Sequence, residues 1–173
     1  EAYLELIRAQ HDTDELISLI DAISTNVTYF YREPVHFELF GKLLEDWKAK
    51  NQRRLRIWCA AASSGQEPYT IAMTVASHLD PQKADFKLLG TDICTRVLVE
   101  ATEGVYTAAE VEKVPEVVRK KYLQRCDHGG EVVSADELGE LLELLVQHAL
   151  ARHATHLRLT AHGADELLND ATE

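Results

Sequence analysis

Two short apolar runs, each followed by a helical pattern, constrain the fold of this 173-residue chain more than any other feature. Residues 55–62 (LRIWCAAA) and 86–91 (FKLLGT) have the length and apolar content of buried parallel strands. Amphipathic segments begin near Gln66 and at Thr95, and Gly104 stands where a helix C-terminal cap is expected. The order strand–helix–strand–helix predicts an α/β fold with a parallel sheet.

Helical patterns precede this unit, and a mixed pattern follows it. Apolar side chains recur at helical spacing in Thr13–Ile23 and in the residues from Pro34 onward. Short helices are also expected at residues 108–113 and 115–124. Residues 131–134 and 156–160 predict strands, and residues 135–152 predict an amphipathic helix. We therefore divide the chain into an N-terminal helical segment (1–48), a central α/β region (49–125) and a strand–helix–strand tail (126–173).

Charge and composition exclude several classes of function. The net charge of −11 opposes nucleic-acid binding, which needs basic surfaces, and the only dense basic cluster, residues 48–56, is interpreted as a solvated loop. No apolar run reaches the roughly 18 residues that a membrane span requires. The first ten residues do not resemble a secretory signal. These features predict a cytoplasmic protein without membrane insertion.

Metal-binding patterns are absent from the sequence. The cysteines Cys59, Cys94 and Cys126 are widely spaced and lack the pairing of a zinc site, so a structural role is expected. The histidines of the tail also match no zinc spacing: His148, His153, His156 and His162. We predict no metal site.

Two carboxylates follow the two predicted strands. The turn at residues 60–69 (AAASSGQEPY) lacks both the GxGxxG fingerprint and the GK[ST] of a phosphate loop, but its small residues allow a ligand to approach the backbone. Glu67 either attracts an ammonium or sulfonium group or simply complements the helix dipole. Asp92 either accepts hydrogen bonds from ribose hydroxyls or caps the helix that begins at Thr95. Because neighbouring strand ends meet at one edge of a sheet, both carboxylates can face one cleft.

A third segment combines aromatic and polar side chains. Residues 24–37 (STNVTYFYREPVHF) contain three consecutive aromatics together with Asn26, Thr28 and Arg32. Phe30 and Phe37 of this segment are expected in the core. The planar guanidinium of Arg32 suits a carboxylate, such as that of an amino-acid cofactor.

These three segments together resemble one known family. Residues 26–37, 57–73 (IWCAAASSGQEPYTIAM) and 88–106 (LLGTDICTRVLVEATEGVY) resemble, in order and spacing, the S-adenosylmethionine-binding region of the chemotaxis-receptor glutamate O-methyltransferases of CheR type. The resemblance covers about residues 16–124. It implies a Rossmann-like methyltransferase fold with N-terminal helices and a shortened sheet.

The resemblance also implies roles for individual residues. Asn26 and Thr28 would shape the pocket of S-adenosylmethionine (SAM), and Arg32, the candidate catalytic residue, would lie beside the methionyl part and the transferring methyl group. Glu67 would hold the methionine amino group, and Asp92 the ribose hydroxyls. The implied reaction methylates glutamate side chains on the cytoplasmic helices of chemoreceptors and releases S-adenosylhomocysteine (SAH). A carboxylate is already nucleophilic at neutral pH, so this reaction needs positioning more than a strong base.

Beyond about Arg125 we find none of the family's later motifs, so we expect a truncated or chimeric member with impaired activity. The alternative is a non-catalytic domain that binds SAM or SAH, or another protein, through a methyltransferase-like fold. The apolar stripe of the predicted helix at 135–152 further suggests a homodimer through that helix.

Overall fold

A computed structural model describes residues 3, 5, 13–80, 83–125, 131–133 and 142–144. The described helices are α1 (Thr13–Ile23), α2 (Pro34–Ala49), α3 (Gln66–His78), α4 (Thr95–Glu103) and α5 (Glu116–Tyr122), with a 3₁₀ turn at Glu110–Lys113. The described strands are β1 (Arg54–Cys59), β2 (Asp85–Gly90), β3 (Val105–Tyr106), β4 (Leu123–Arg125), β5 (Glu131–Val133) and β6 (Leu142–Leu144).

The main sheet is parallel and places β2 between β1 and β6. The β1–β2 ladder runs from Arg54 opposite Asp85 to Cys59 opposite Gly90, so both strands end at the same edge. This sequence of strands corresponds to one half of a doubly wound sheet, in which ligands bind beyond the carboxyl ends of the strands. The turns after β1 and β2 therefore lie where a cofactor site is expected.

Helix α3 connects β1 to β2 and forms much of the core. Ala72 and Met73 have no exposed surface, and they belong to the same buried cluster as Leu88 of β2 and Leu44 of α2. Because α3 is apolar on several sides, it packs between the sheet and α2 rather than lying at the surface.

A second, small sheet follows α4. It is antiparallel, with β5 between β3 and β4, and Tyr106 of β3 pairs with Glu131 of β5. We call these three strands the small sheet. It brings residues 123–125 and 131–133 next to the chain that leaves α4.

Most predicted elements are confirmed. Helices α1, α2, α3 and α4 and strands β1, β2 and β5 occur where the sequence pattern predicts them, to within three residues; β1 ends at Cys59, three residues before its predicted end. Gly104 caps α4 in the left-handed conformation, with φ 62°. The basic cluster is partly paired rather than fully solvated, since Arg56 contacts Asp85 at 2.8 Å.

Two predictions of helix are wrong. Residues 142–144, within the predicted helix at 135–152, form β6 and pair with β2 from Leu88 opposite Leu142 to Gly90 opposite Leu144. Leu123 and Gln124 belong to β4 instead of extending α5. The rest of the predicted tail helix, the strand predicted at 156–160, the tail histidines and Cys126 lie outside the described residues. The homodimer predicted through the tail helix therefore loses its structural basis at residues 142–144.

Candidate functional site

The turn after β1, residues 60–65, has a conformation that depends on glycine. Gly65 has φ +98°, and a Cβ built there would lie 2.5 Å from the hydroxyl oxygen of Tyr106 and 3.1 Å from Cα of Ala101. The backbone of Ala62 donates to the carbonyl of Thr91, and Gly65 donates to the carbonyl of Ala62. We call residues 60–65 the cofactor turn. It is tightly wound, and it is fixed to the end of β2.

Asp92 joins the cofactor turn to the turn after β2. Its side chain is 9% exposed; one carboxylate oxygen accepts the backbone N–H of Ser63 at 2.8 Å, and the other accepts that of Cys94 at 2.9 Å. The predicted alternative for Asp92, a cap for the helix that begins at Thr95, is not what the structure contains. The N–H of Thr95 instead donates to Asp21 of α1 at 3.1 Å. A carboxylate has about four lone-pair sites, so Asp92 keeps acceptor capacity for further donors.

Glu67 lies in the first turn of α3 and is exposed. The thiol of Cys59, the last residue of β1, contacts its carboxylate with an S···O distance of 3.6 Å. Burial, together with the charges of Glu67 and Asp92, raises the pKa of Cys59 to about 12. The thiol therefore stays protonated, and both carboxylates lie near the end of β1.

Arg32 belongs to the connection between α1 and α2. We call residues 24–33 the arginine segment. The guanidinium donates to the carbonyl of Val27 at 2.7 Å and lies 6.0 Å from the ring centre of Tyr29. Lys113 covers the same ring at 3.6 Å, so Tyr29 lies between two cations. These contacts hold the loop in place. The guanidinium of Arg32 has five N–H groups and uses one for Val27, so it still has free donors.

Arg32 and Glu67 share one cavity of about 480 Å³. Its other lining residues are mostly aromatic or aliphatic: Glu33, His36, Phe37, Phe40, Ile57 and Ile71. Asp92 does not line this cavity. It is buried beside it, connected through Cys59 and through Ser63 of the cofactor turn.

Asn26 and Thr28 are half-buried in the arginine segment. The carbonyl of Asn26 lies 3.5 Å from the hydroxyl of Ser63, which brings the segment next to the cofactor turn. Phe30, predicted in the core, is fully buried, whereas Phe37, also predicted there, is half-buried and lines the Arg32 cavity. Of the predicted site residues, Asn26, Glu67 and Asp92 thus lie near the carboxyl end of β1, and Arg32 shares a cavity with Glu67.

Two contributors to this region are missed by reasoning from the sequence. Asp21 supplies both carboxylate oxygens to Thr95, one to its N–H and one to its hydroxyl, each at 3.1 Å. Tyr106 donates its hydroxyl to the carbonyl of Ser64 at 2.8 Å. Asp21 lies outside the three segments that carry the resemblance, and Tyr106 ends one of them without a role being assigned to it, so only the folded chain identifies these contacts.

The family model described as "CheR methyltransferase, SAM binding domain" matches residues 26–142. This chain belongs to that family. The chemotaxis protein methyltransferase of Borreliella burgdorferi is 39% identical over 71% of this chain and 46% of its own length. The chemotaxis protein methyltransferase of Escherichia coli is 34% identical over 88% of this chain and 53% of its own length.

The match confirms the predicted family, the α/β fold class and SAM as the ligand named for this domain. It continues to residue 142, whereas the recognisable motifs end near Gln124. The chain spans about half the length of the curated relatives that it matches. Among the residues that the structure describes, no helix has the length and apolar character needed to cross a bilayer.

Proposed function

We propose that this CheR-family chain binds SAM and takes part in the methylation of glutamate side chains on chemoreceptors. Family membership supports the cofactor, and the names of the relatives support the chemotaxis role. The observation that carries the proposal is that Arg32 and Glu67 line one cavity at the carboxyl end of β1. A basic and an acidic side chain at this edge of a parallel sheet match the zwitterionic methionyl part of SAM.

Each site residue has a proposed role that its surroundings allow. Glu67 is exposed and accepts hydrogen bonds from the amino group of the methionyl part. Arg32 has free N–H donors for the carboxylate of the methionyl part and lies near the transferring methyl group. Asp92 is fixed by two backbone donors and offers its remaining lone pairs to the ribose hydroxyls. Asn26 and Thr28 shape the wall of the pocket.

The reaction makes limited demands on these side chains. When bound, SAM supplies an electrophilic sulfonium methyl group; a glutamate oxygen forms the new C–O bond as the S–CH₃ bond breaks, which gives a methyl ester and SAH. The chain's own groups hold both reactants in line and exclude water. The aromatic and aliphatic lining of the Arg32 cavity favours such exclusion. A strong general base is not required.

The substrate and location follow from the same proposal. Glutamates of chemoreceptors are methylated on helices that lie in the cytoplasm, so we propose a cytoplasmic location. We leave the predicted homodimer out of this proposal, because none of the described residues supports it.

Isothermal titration calorimetry with SAH tests the binding step. We expect micromolar binding by the unaltered chain, and a Kd about tenfold higher or more for Glu67→Gln, which removes the charge that faces the ammonium group. 5′-Methylthioadenosine has no amino-acid part, so its Kd should not change in this variant. Glu103→Gln, at an exposed carboxylate of α4, is the matched control. An equal loss of affinity for both ligands would contradict the role of Glu67.

Transfer is tested separately from binding. Incubation with methyl-labelled SAM and a receptor cytoplasmic fragment should give base-labile label on the receptor, as methyl esters do. The alignments with this chain cover only about half the length of each of these two relatives. SAH binding without transfer would therefore favour the alternative, a cofactor-binding domain that is not catalytic by itself. No SAH binding at millimolar concentration would refute the proposal.

A further inference from the structure

Tyr106 connects the small sheet to the cofactor turn. It is the last residue of β3, it is 3% exposed, and its hydroxyl donates to the carbonyl of Ser64 at 2.8 Å. Burial raises the pKa of this phenol far above its ordinary value, so the hydroxyl remains a donor throughout the physiological pH range. The hydrogen bond therefore joins a rigid, buried side chain to the loop at the proposed site.

The same side chain also contacts the arginine segment. The ring of Phe30 meets the ring of Tyr106 edge to face, with centroids 4.9 Å apart. Phe30 is fully buried and precedes Arg32 by two residues. Through its hydroxyl, Tyr106 thus contacts the cofactor turn, which immediately precedes Glu67 and donates from Ser63 to Asp92. Through its ring, it contacts the arginine segment.

The cofactor turn is built around this hydroxyl. Gly65 approaches it so closely that a Cβ would lie 2.5 Å from the phenol oxygen. The hydroxyl consequently fills the space under the glycine while it binds the carbonyl of the preceding residue, Ser64. Removing the oxygen would leave this part of the turn without a partner and without packing.

We infer that Tyr106 is a positioning residue for SAM binding, which holds the cofactor turn and the arginine segment in their binding conformation from the small sheet. This inference rests on the proposed function, because it concerns the same site. Its physical basis is preorganisation: a turn that is already fixed loses less conformational freedom when a ligand binds. Tyr106 acts through the turn and does not itself line the Arg32 cavity.

Tyr106→Phe removes only the hydroxyl, and Tyr69→Phe is its matched control. Tyr69 belongs to the same aromatic cluster, 5.9 Å from Tyr106, and its buried hydroxyl donates to a backbone carbonyl at 3.0 Å, that of Ala101 in α4. We expect the Kd for SAH to rise about fivefold in Tyr106→Phe, the equivalent of one neutral hydrogen bond, and less than about twofold in Tyr69→Phe. Urea unfolding should show similar losses of stability in the two variants.

Hydrogen exchange provides a readout that does not depend on the ligand. In the free protein, the amides of residues 62–66 should exchange faster in Tyr106→Phe than in Tyr69→Phe or in the unaltered chain. Equal exchange of this turn in both variants overturns the inference, and so does an equal Kd for SAH in both. If the unaltered chain fails to bind SAH, the proposed function fails, and the exchange of the turn still decides whether Tyr106 fixes it.

Discussion

Replacing Gly65 by alanine perturbs the most constrained point of the cofactor turn. The residue has φ +98°, a region that L-residues with a side chain rarely adopt. The added methyl group would also lie 2.5 Å from the Tyr106 hydroxyl oxygen and 3.1 Å from both Cα and Cβ of Ala101. Real Cβ atoms do not approach other heavy atoms as closely as the first of these distances, so the turn or its neighbours must move.

The magnitude follows from three contributions. A left-handed conformation costs a residue with a side chain roughly 1–2 kcal/mol. Displacing the Tyr106 hydroxyl from the carbonyl of Ser64 forfeits about 1 kcal/mol. Crowding against the backbone of Ala101 adds about 1–3 kcal/mol, as overpacking of a filled core does. We therefore expect Gly65→Ala to lower the free energy of unfolding by roughly 4 kcal/mol.

Urea unfolding followed by far-ultraviolet circular dichroism measures this loss, and Gly104→Ala is the comparison. Gly104 also has positive φ, at +62°, but the three atoms nearest to its Cβ would all belong to the side chain of Tyr69, the closest at 2.9 Å. Because a side chain yields more easily than backbone, its cost should remain at about 2 kcal/mol. The double variant Gly65→Ala/Tyr106→Phe removes the oxygen that blocks the methyl group, so the two changes together should cost about 1 kcal/mol less than their sum.

Two results would refute this reasoning. If Gly65→Ala costs no more than Gly104→Ala, the contact with Ala101 does not constrain the turn. If the costs of Gly65→Ala and Tyr106→Phe are additive, the hydroxyl does not occupy the space under the glycine. Either result would also remove the steric part of the argument for Tyr106 as a positioning residue.

Three further predictions concern neighbouring parts of the structure. Asp21→Ala removes the acceptor of both the N–H and the hydroxyl of Thr95. It should lower the free energy of unfolding, measured in urea, by about 1–2 kcal/mol, and a loss below about 0.3 kcal/mol would contradict this prediction. The hydrogen bond from Arg56 lowers the pKa of Asp85. Asp85→Asn should therefore cost less than about 1 kcal/mol at pH 7, since the carboxylate is half-exposed. That cost should vanish as the pH falls below about 4 through the lowered pKa, and a cost that grows in acid would contradict it. Iodoacetamide at pH 8 should leave Cys59 unmodified in the folded chain, because its pKa is about 12, and peptide mass spectrometry after digestion would detect any labelling.

Elements with a single strong periodicity could be predicted from the sequence. The apolar stripes of α1 and α3 and the apolar runs of β1 and β2 each fit one pattern only. The segment around β6 fits two, because LLELL places leucines at both helical and alternating spacing. Its pairing with β2 decides between them, and that pairing depends on a strand more than 50 residues earlier, at Leu88 opposite Leu142. Tertiary contact here overrides local preference.

The candidate site was predictable only in part for the same reason. Glu67, Asp92 and Arg32 follow from local motifs and their position after strands. Two of the hydrogen bonds that fix the surrounding turns join residues far apart in sequence: 29 positions from Ser63 to Asp92 and 42 from Ser64 to Tyr106. No pattern within one segment contains that information, so the proposed binding residues could be named from the sequence while these long-range contacts could not.

Under the proposed function, Asp21 supports the ligand role of Asp92. A helix that begins beside a ligand site exposes N–H groups, and a nearby aspartate ordinarily satisfies them. Here Asp21, 74 positions earlier in the chain, satisfies Thr95. Asp92 instead accepts from Ser63 and Cys94, which fix its carboxylate between the two turns. Because a fixed acceptor needs little reorganisation when ribose hydroxyls bind, the proposal assigns α1 an indirect contribution to cofactor affinity, through Thr95.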